Sequence, residues 1–328
     1  MSLRIIKAGI LDTIQDVGRF GAQHLGINSG GAMDRFSAQL ANALLGMPLD
    51  APVIEVHFPA LQILFEEPTV IAICGADFSA TINNQPIPLH HPIAVAENSL
   101  LQFQHLKNGA RAYIAFLNEL QIEKWKGSYS TNIKAAVGGF NGRALMRYDQ
   151  LIFKNKINLT TVLHKKDFVV LPWKANEIVD QRNKIEFIIG SEWHSLSKEA
   201  QESFQQHWFQ ITNDSDRMGY RLAGPNLQVN DEEQLISSAV SFGTVQLLPG
   251  RQLIVLMVDH QTTGGYPRVA HIITAHLPIL AQKKPNDVLQ FVMTDLGTAE
   301  EKMRKQKNYL DEIQVACKYR MEEILVHS

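Results

Sequence analysis

Cysteine is nearly absent from this chain. Cys74 and Cys317 stand far apart in 328 residues, and no CxxC pair occurs. A disulfide framework is not expected, and a reducing, cytoplasmic compartment is the simplest expectation. Neither sign of charge is in excess: 31 Lys and Arg stand against 33 Asp and Glu, a formal net charge of -2. Nothing in that balance favours a nucleic-acid partner. Long apolar runs are missing too. The longest are strand-sized, far below the roughly 20 residues a membrane helix needs, so no membrane association is expected. The opening MSLRIIKAGILDTIQD has no long apolar core, and Asp12 and Asp16 arrive too early for a signal peptide. Several catalytic signatures are also lacking. No GKS or GKT follows a glycine loop, no HExxH occurs, and no GxSxG elbow is present. His271 and His276 are five apart, poor spacing for one helical face, so no metal site is expected.

Hydrophobic residues make up 45% of the chain and charged residues 20%, enough apolar material for one large core or two ordinary ones. Between 51 and 117 the sequence reads as short strands separated by turns such as NNQP and KNG. Helical crossovers of a dozen residues are missing there, which argues for a barrel or sandwich and against a wound α/β sheet. MDRFSAQLANALLG, just before, reads as a helix with Asp34 as its cap and Gly46 and Pro48 as its stop. Residues 118–150 are rich in Gly, Ser and Asn and predict a domain connection or a long functional loop. Strands then resume, interrupted by a short helix at KEAQESFQQHW. HIITAHLPILAQ reads as a second helix or as a helix with a break at Pro278, and DVLQFVMT as a late strand. In the tail, Leu310, Ile313, Cys317, Met321, Ile324 and Leu325 recur at helical spacing, which predicts one long amphipathic helix or two shorter ones. The basic run KMRKQK reads as a solvated helix face. The expected division is a first β-rich lobe over 1–125, a second over 126–297 with strand exchange between them allowed, and an amphipathic helical extension over 298–328.

Three polar, glycine-rich stretches carry the chemistry. TIQDVGRFGAQHLGINSGGAMDRF brings Ser29, Gly30, Gly31, Asp34 and Arg35 to the entrance of the first helix. Successive backbone N–H groups there can hold an oxyanion, or the Asp-Arg pairs simply tie turns together; both readings stand. TNDSDRMGYRLAGP places Asp216, Arg217 and Tyr220 in one segment. Its arginines can grip a carboxylate, or a carboxylate can fix them. QTTGGYP follows the apolar run Leu253–Val258 and the pair Asp259-His260. Gln261, Thr262 and Thr263 offer neutral donors and acceptors, and Gly264 and Gly265 expose amides, with Tyr266 as a ligand wall or a packing ring. That set suits a planar amide or ureido ligand, and it also suits a tight turn. Asp77, in GADFSA, reads as a strand end with a supporting role.

These stretches, with VIAICGADFSATINNQPIP between the first two, resemble the biotin-dependent carboxyltransferase-like family over roughly residues 3–295. The family includes the C component of the bacterial ATP-dependent 5-oxoprolinase, KipA, and the carboxyltransferase region of urea carboxylase; an older label is allophanate hydrolase subunit 2. The resemblance is carried by Ser29 through Phe36, by Ser215 through Leu222, and by Gln261 through Pro267. Many relatives have Lys after that proline where this chain has Arg268, a fixed planar fork that suggests charge stabilisation and not proton donation.

The resemblance implies a mainly β fold with a few helices: two cyclophilin-like β-barrel domains, with the helical tail as an extension that covers the barrel or aids contact between subunits. It implies one component of a multi-subunit enzyme that opens 5-oxo-L-proline to L-glutamate. ATP with Mg2+ would act at the level of the complex, beside a KipI-like B component and a LamB/YcsF-type A component. Asp34, Arg35, Asp216, Arg217 and Thr263 are then the candidate catalytic residues. Ser29, Gly30, Gly31, Tyr220, Gln261, Thr262, Gly264, Gly265, Tyr266 and Arg268 are the candidate substrate-binding residues. Two alternatives share the fold. One is a carboxyltransferase component that uses biotin and acts on a urea-like or amide substrate. The other is a non-enzymatic regulatory partner of a KipI-like inhibitor protein.

Overall fold

The computed structural model describes residues 2–176, 183–230 and 235–326. The chain forms two compact units: Met1–Arg19, Asp34–Ile178 and Lys307–Ser328 make the first, and Phe20–Met33 and Val179–Gln306 the second. Both are discontinuous in sequence, so the cuts fall elsewhere than at 125 and 297. The stretch 20–33, read from sequence with the first lobe, belongs to the second unit.

Alternation of apolar side chains builds the first unit. Two six-stranded sheets face each other. Leu3, Ile5, Ile63, Phe65 and Leu101 point inward from one, and Ile54, Val56, Ile71, Ile73, Ile114 and Phe116 from the other, into one shared core. The strand Thr69–Asp77 is apolar almost without interruption because both its faces are covered. Its second face lies under helix α1 (Arg35–Leu44). Asp34 caps α1 by accepting the Ser37 N–H, and Gly46 follows its end at φ +66.

The segment 118–150, expected as a connection or functional loop, is part of this unit. Asp16 anchors it: Oδ1 accepts from the Ser128 hydroxyl at 2.7 Å and the Ser130 hydroxyl at 2.5 Å, and Oδ2 from the Tyr129 N–H at 2.7 Å. Arg19, itself buried, lies over the Trp125 ring. A short helix, α2 (Thr160–Leu163), precedes the strand Phe168–Val170.

The second unit is a closed seven-stranded barrel in the order Lys184–Ile189, Arg268–Ile272, Thr244–Leu247, Leu253–Leu256, Gly219–Ala223, Phe209–Ile211 and Val288–Met293. All neighbours are antiparallel except the closing pair, Lys184–Ile189 with Val288–Met293. Stacked and edge-on aromatics pack in the barrel core, with Phe204 and Phe291 nearly parallel at 4.5 Å. Phe204 comes from α3 (Lys198–Gln206), whose start is capped by Ser197. HIITAHLPILAQ is not one broken helix. His271 and Ile272 finish a strand, Thr274–His276 form a 3-10 turn, and α4 (Leu277–Ala281) follows with Pro278 in its first turn, where a missing N–H costs nothing.

The tail is a single helix, α5 (Leu296–Val326). Asp295 caps it by accepting the Thr298 N–H at 2.9 Å. In the second unit Lys302 bonds the Glu186 carboxylate and Gln306 the Ala275 carbonyl, while Arg304 and Lys305 stay exposed. In the first unit α5 lies along α1. Tyr309 stacks on Phe36, Gln314 donates to the Met47 carbonyl at 2.7 Å, and Leu310, Cys317 and Met321 are buried. No helix among the described residues is long and apolar enough to cross a membrane.

The contact of α5 with the end of α1 makes a specific prediction. A Cβ on Gly46 would stand 2.5 Å from the Lys318 Cα, whereas one on Gly26, at φ +77, would meet nothing within 4 Å. Alanine at either site carries a backbone cost of about 1–2 kcal/mol from its left-handed conformation. Gly46→Ala adds an overpacking cost of about 1–3 kcal/mol. Denaturant unfolding should therefore show a clearly larger loss for Gly46→Ala than for Gly26→Ala. Equal losses would contradict the docking of α5 on α1.

Candidate functional site

Strand parity decides which side chains of the barrel wall can meet a ligand. In Gly219–Ala223, Leu253–Leu256 and Thr244–Leu247 the core takes Tyr220, Leu222, Leu253, Val255, Val245 and Leu247. The intervening residues must face outward. Register then places Gly219 opposite Leu256, Arg221 opposite Ile254, and Gln246 opposite Ile254. This outward row floors a cavity of about 520 Å³. Its polar wall includes Asp214, Asp216, Arg221, Gln246, Gln261 and Tyr266.

The three glycine-rich stretches meet beside it within the second unit. Arg217 joins them: Nε lies 2.7 Å from Asp259 Oδ2, and an Nη donates to the Gly31 carbonyl at 2.6 Å. Asn28 donates to the Asp259 carbonyl at 3.0 Å, and the Asp259 N–H to the Arg217 carbonyl at 2.8 Å. A planar guanidinium with several fixed donors is suited to span a carboxylate and a carbonyl at once. Of the two roles open to Arg217 in the sequence, the structure shows it engaged by a carboxylate. Ser29 and Gly30 lie in the segment so held, and Met33 is buried in the barrel core. Asp216 shapes the adjoining turn, its Oδ1 accepting from the Met218 and Gly219 N–H groups at 2.7 and 3.2 Å.

The QTTGGYP loop lies over the outward face. Thr263–Gly264 pairs with Ser238–Ala239, and the Thr262 carbonyl accepts from the Val240 N–H. His260 is buried, its Nδ1 2.5 Å from the Gln261 carbonyl. Gly265 and Tyr266 border a second cavity of about 840 Å³ on the side of Glu192 and Ser195. Arg268 grips Glu192 there in bidentate fashion, at 3.0 and 2.8 Å, and its backbone N–H adds a bond at 2.8 Å. Those bonds hold the Glu192 carboxyl down at about 2.

Other expected residues do not line the cavity. Tyr220 has the wrong parity: it is 2% exposed in the barrel core, with its hydroxyl on the Lys283 carbonyl. Asp34 and Arg35 belong to the first unit. Asp34 is wholly buried and caps α1, accepting from the Ser37 N–H at 2.9 Å and hydroxyl at 2.6 Å. Its own N–H donates to the Tyr113 hydroxyl, which donates to Glu55, each at 2.8 Å. Burial pushes the Tyr113 hydroxyl well up and brings the Arg35 guanidinium down to about 10. Asp77 accepts from the Ser79 N–H at the end of its strand and pairs with Lys107.

Sequence reasoning missed Gln246, Asp259 and Glu192 as members of these sites, whereas Arg221 stood among the arginines of TNDSDRMGYRLAGP read as able to grip a carboxylate. Gln246 had one legible signal, a polar residue within the apolar strand TVQLL. Glu192 had none, because its partner is 76 positions away. Among the described residues, no group of three or more His, Cys, Asp or Glu is placed to hold a metal ion.

The Glu192–Arg268 pair fixes a pH dependence. The folded-state value of about 2 lies below the ordinary 4.5 of glutamate. The unfolded chain therefore takes up the proton first as pH falls, and the pair's contribution is complete above the ordinary value and lost below it. Glu192→Gln should destabilise most near neutrality, and its gap from the native chain in thermal midpoint should narrow between about pH 5 and pH 2. A gap that does not change with pH would contradict the pairing.

Comparison with known proteins places this arrangement. The carboxyltransferase domain, subdomain A and B, matches residues 25–293. The C component of 5-oxoprolinase from Haemophilus influenzae is 32% identical over 301 residues, 92% of this chain and 94% of the relative. That of Escherichia coli is 32% identical over 312 residues, 95% of this chain and 97% of the relative. The K. lactis urea amidolyase structure superposes with a TM-score of 0.85 at 25% identity, over 95% of this chain and 20% of that one. A match that runs from the first glycine loop through the last barrel strand, with relatives aligned over nearly their full length, means that this chain belongs to the family of the carboxyltransferase domain, subdomain A and B.

Proposed function

We propose that this chain is the C component of an ATP-dependent 5-oxoprolinase, which converts 5-oxo-L-proline to L-glutamate with hydrolysis of ATP to ADP and phosphate. The observation that carries it is the clasp at Arg217, which gathers the three glycine-rich loops beside a cavity walled by amides, carboxylates and one arginine. The names of the two 5-oxoprolinase relatives support it. The substrate is a small lactam with a carboxylate, an N–H and a carbonyl. A cavity of about 520 Å³ is ample for it. Arg221 offers a fork for the carboxylate, and Gln261 and the loop amides offer neutral partners for the N–C=O group.

Resonance makes the lactam carbonyl a poor electrophile. ATP, bound with Mg2+ at the level of the complex, supplies the phosphoryl group that activates its oxygen. The net change breaks the ring C–N bond and places a water oxygen in the new carboxylate. This chain's part is to orient the planar group and to set donors where negative charge develops; one well-placed donor contributes about 3–4 kcal/mol. A KipI-like protein and a LamB/YcsF-type protein complete the assembly. The likeness to urea amidolyase favours one second reading, a carboxyltransferase component that uses biotin, because a ureido group is also a planar N–C=O ligand.

Reconstitution with the two partner types tests the proposal. The complex should form glutamate and ADP only when 5-oxoproline is present. Arg217→Ala should lower turnover at least ~10-fold while the barrel stays folded, since misplacing a positioning group by about 1 Å can cost 10²-fold. Thr263→Val, at an exposed position of the loop, should also lower turnover. ATP hydrolysis indifferent to 5-oxoproline would overturn the assignment, and normal rates in both variants would remove these loops from the site.

A further inference from the structure

The wall of the 520 Å³ cavity contains a polar side chain that is 0% exposed, Gln246. It sits between Val245 and Leu247, both in the barrel core, so its amide is turned to the outward face beneath the QTTGGYP loop. Nε2 donates to the Tyr266 carbonyl at 3.4 Å, which orients the amide; the reverse orientation would set two oxygens against each other. Oε1 is then buried with no hydrogen-bond partner among the described residues. An unpaired buried acceptor is unfavourable, and a methionine of similar volume would avoid it. Gly264 is shaped around this amide: a Cβ there would stand 2.6 Å from Gln246 Nε2. A larger residue in the loop would thus press on the far end of the glutamine side chain and displace the amide. The single bond to Tyr266 is long, so the amide can turn toward a ligand without losing a strong contact.

We infer that Gln246 Oε1 accepts the ring N–H of the substrate lactam and thereby sets the preference of the site for a secondary amide. This rests on the proposal that 5-oxoproline occupies this cavity. A site built to pair with an N–H discriminates against an analogue without it, because the buried acceptor is then left unmatched. The lactone analogue, in which a ring oxygen replaces the N–H, isolates that contact.

The test uses the reconstituted complex with 5-oxoproline as substrate and the lactone as competitor. Gln246→Met should raise the KM for 5-oxoproline about tenfold with a smaller change in kcat, and should bring the preference for lactam over lactone close to one. Its thermal midpoint should be unchanged or raised, the reverse of what a purely structural glutamine predicts. Gly264→Ala, which crowds the same amide from the loop side, should reproduce the rise in KM with Gln246 intact. An unchanged lactam preference in Gln246→Met would overturn the inference, as would a lowered midpoint or failure to fold. A native complex that does not turn over 5-oxoproline would overturn the functional proposal and this inference with it. That outcome is told apart from the others because it appears before any variant is made.

Discussion

Arg217 reaches the Asp259 carboxylate at 2.7 Å and the Gly31 carbonyl at 2.6 Å, and the geometry of the candidate site depends on that contact. Glycine-rich loops have little conformational preference of their own. Three of them hold one arrangement here because a guanidinium fork with fixed donors ties each to the others. Asn28 and the backbone of Asp259 reinforce the tie from both sides. The same residues that look ready to grip a ligand are therefore largely occupied in building the place where one would sit. The groups left facing the cavity are others: the Arg221 side chain, the Gln261 segment, and Gln246 beneath it.

A barrel wall has two faces, and the period of two along each strand sorts residues between them. Tyr220 and Arg221 are neighbours in sequence, yet one fills the core and the other borders the cavity. The first unit shows the same sorting. Ile54 and Val56 enter the core between the sheets, while Glu55 turns to the opposite side, meets Tyr113, and through it the N–H of Asp34 at the start of α1. A polar residue inside an apolar strand marks the face on which something other than core packing takes place.

Much of the fold was legible from local pattern. The α1 helix, its Asp34 cap and its Gly46 stop follow from spacing and termination chemistry, and the mainly β character follows from short runs without crossovers. The unbroken tail helix agreed with the spacing of Leu310, Cys317 and Met321. Boundaries between units were not legible, because they depend on contacts far apart in sequence. Asp16 captures Ser128, Tyr129 and Ser130 into the first unit, and Met33 enters the core of the second. At the site, the glycine-rich stretches announced themselves by composition, but the partner of Arg217 did not. Nor did the segment around His271 and Pro278, where helix-like spacing gave way to the demand of the barrel for another strand.

Hydrogen exchange on the native chain and on Arg217→Met probes the clasp most directly, because it reports on each loop separately. If Arg217 holds the loops together, amide exchange should speed up in concert around 28–33 and around 259–265, with the far strands of the barrel unchanged. Faster exchange confined to the residues flanking position 217, with both partner loops as protected as before, would contradict the account.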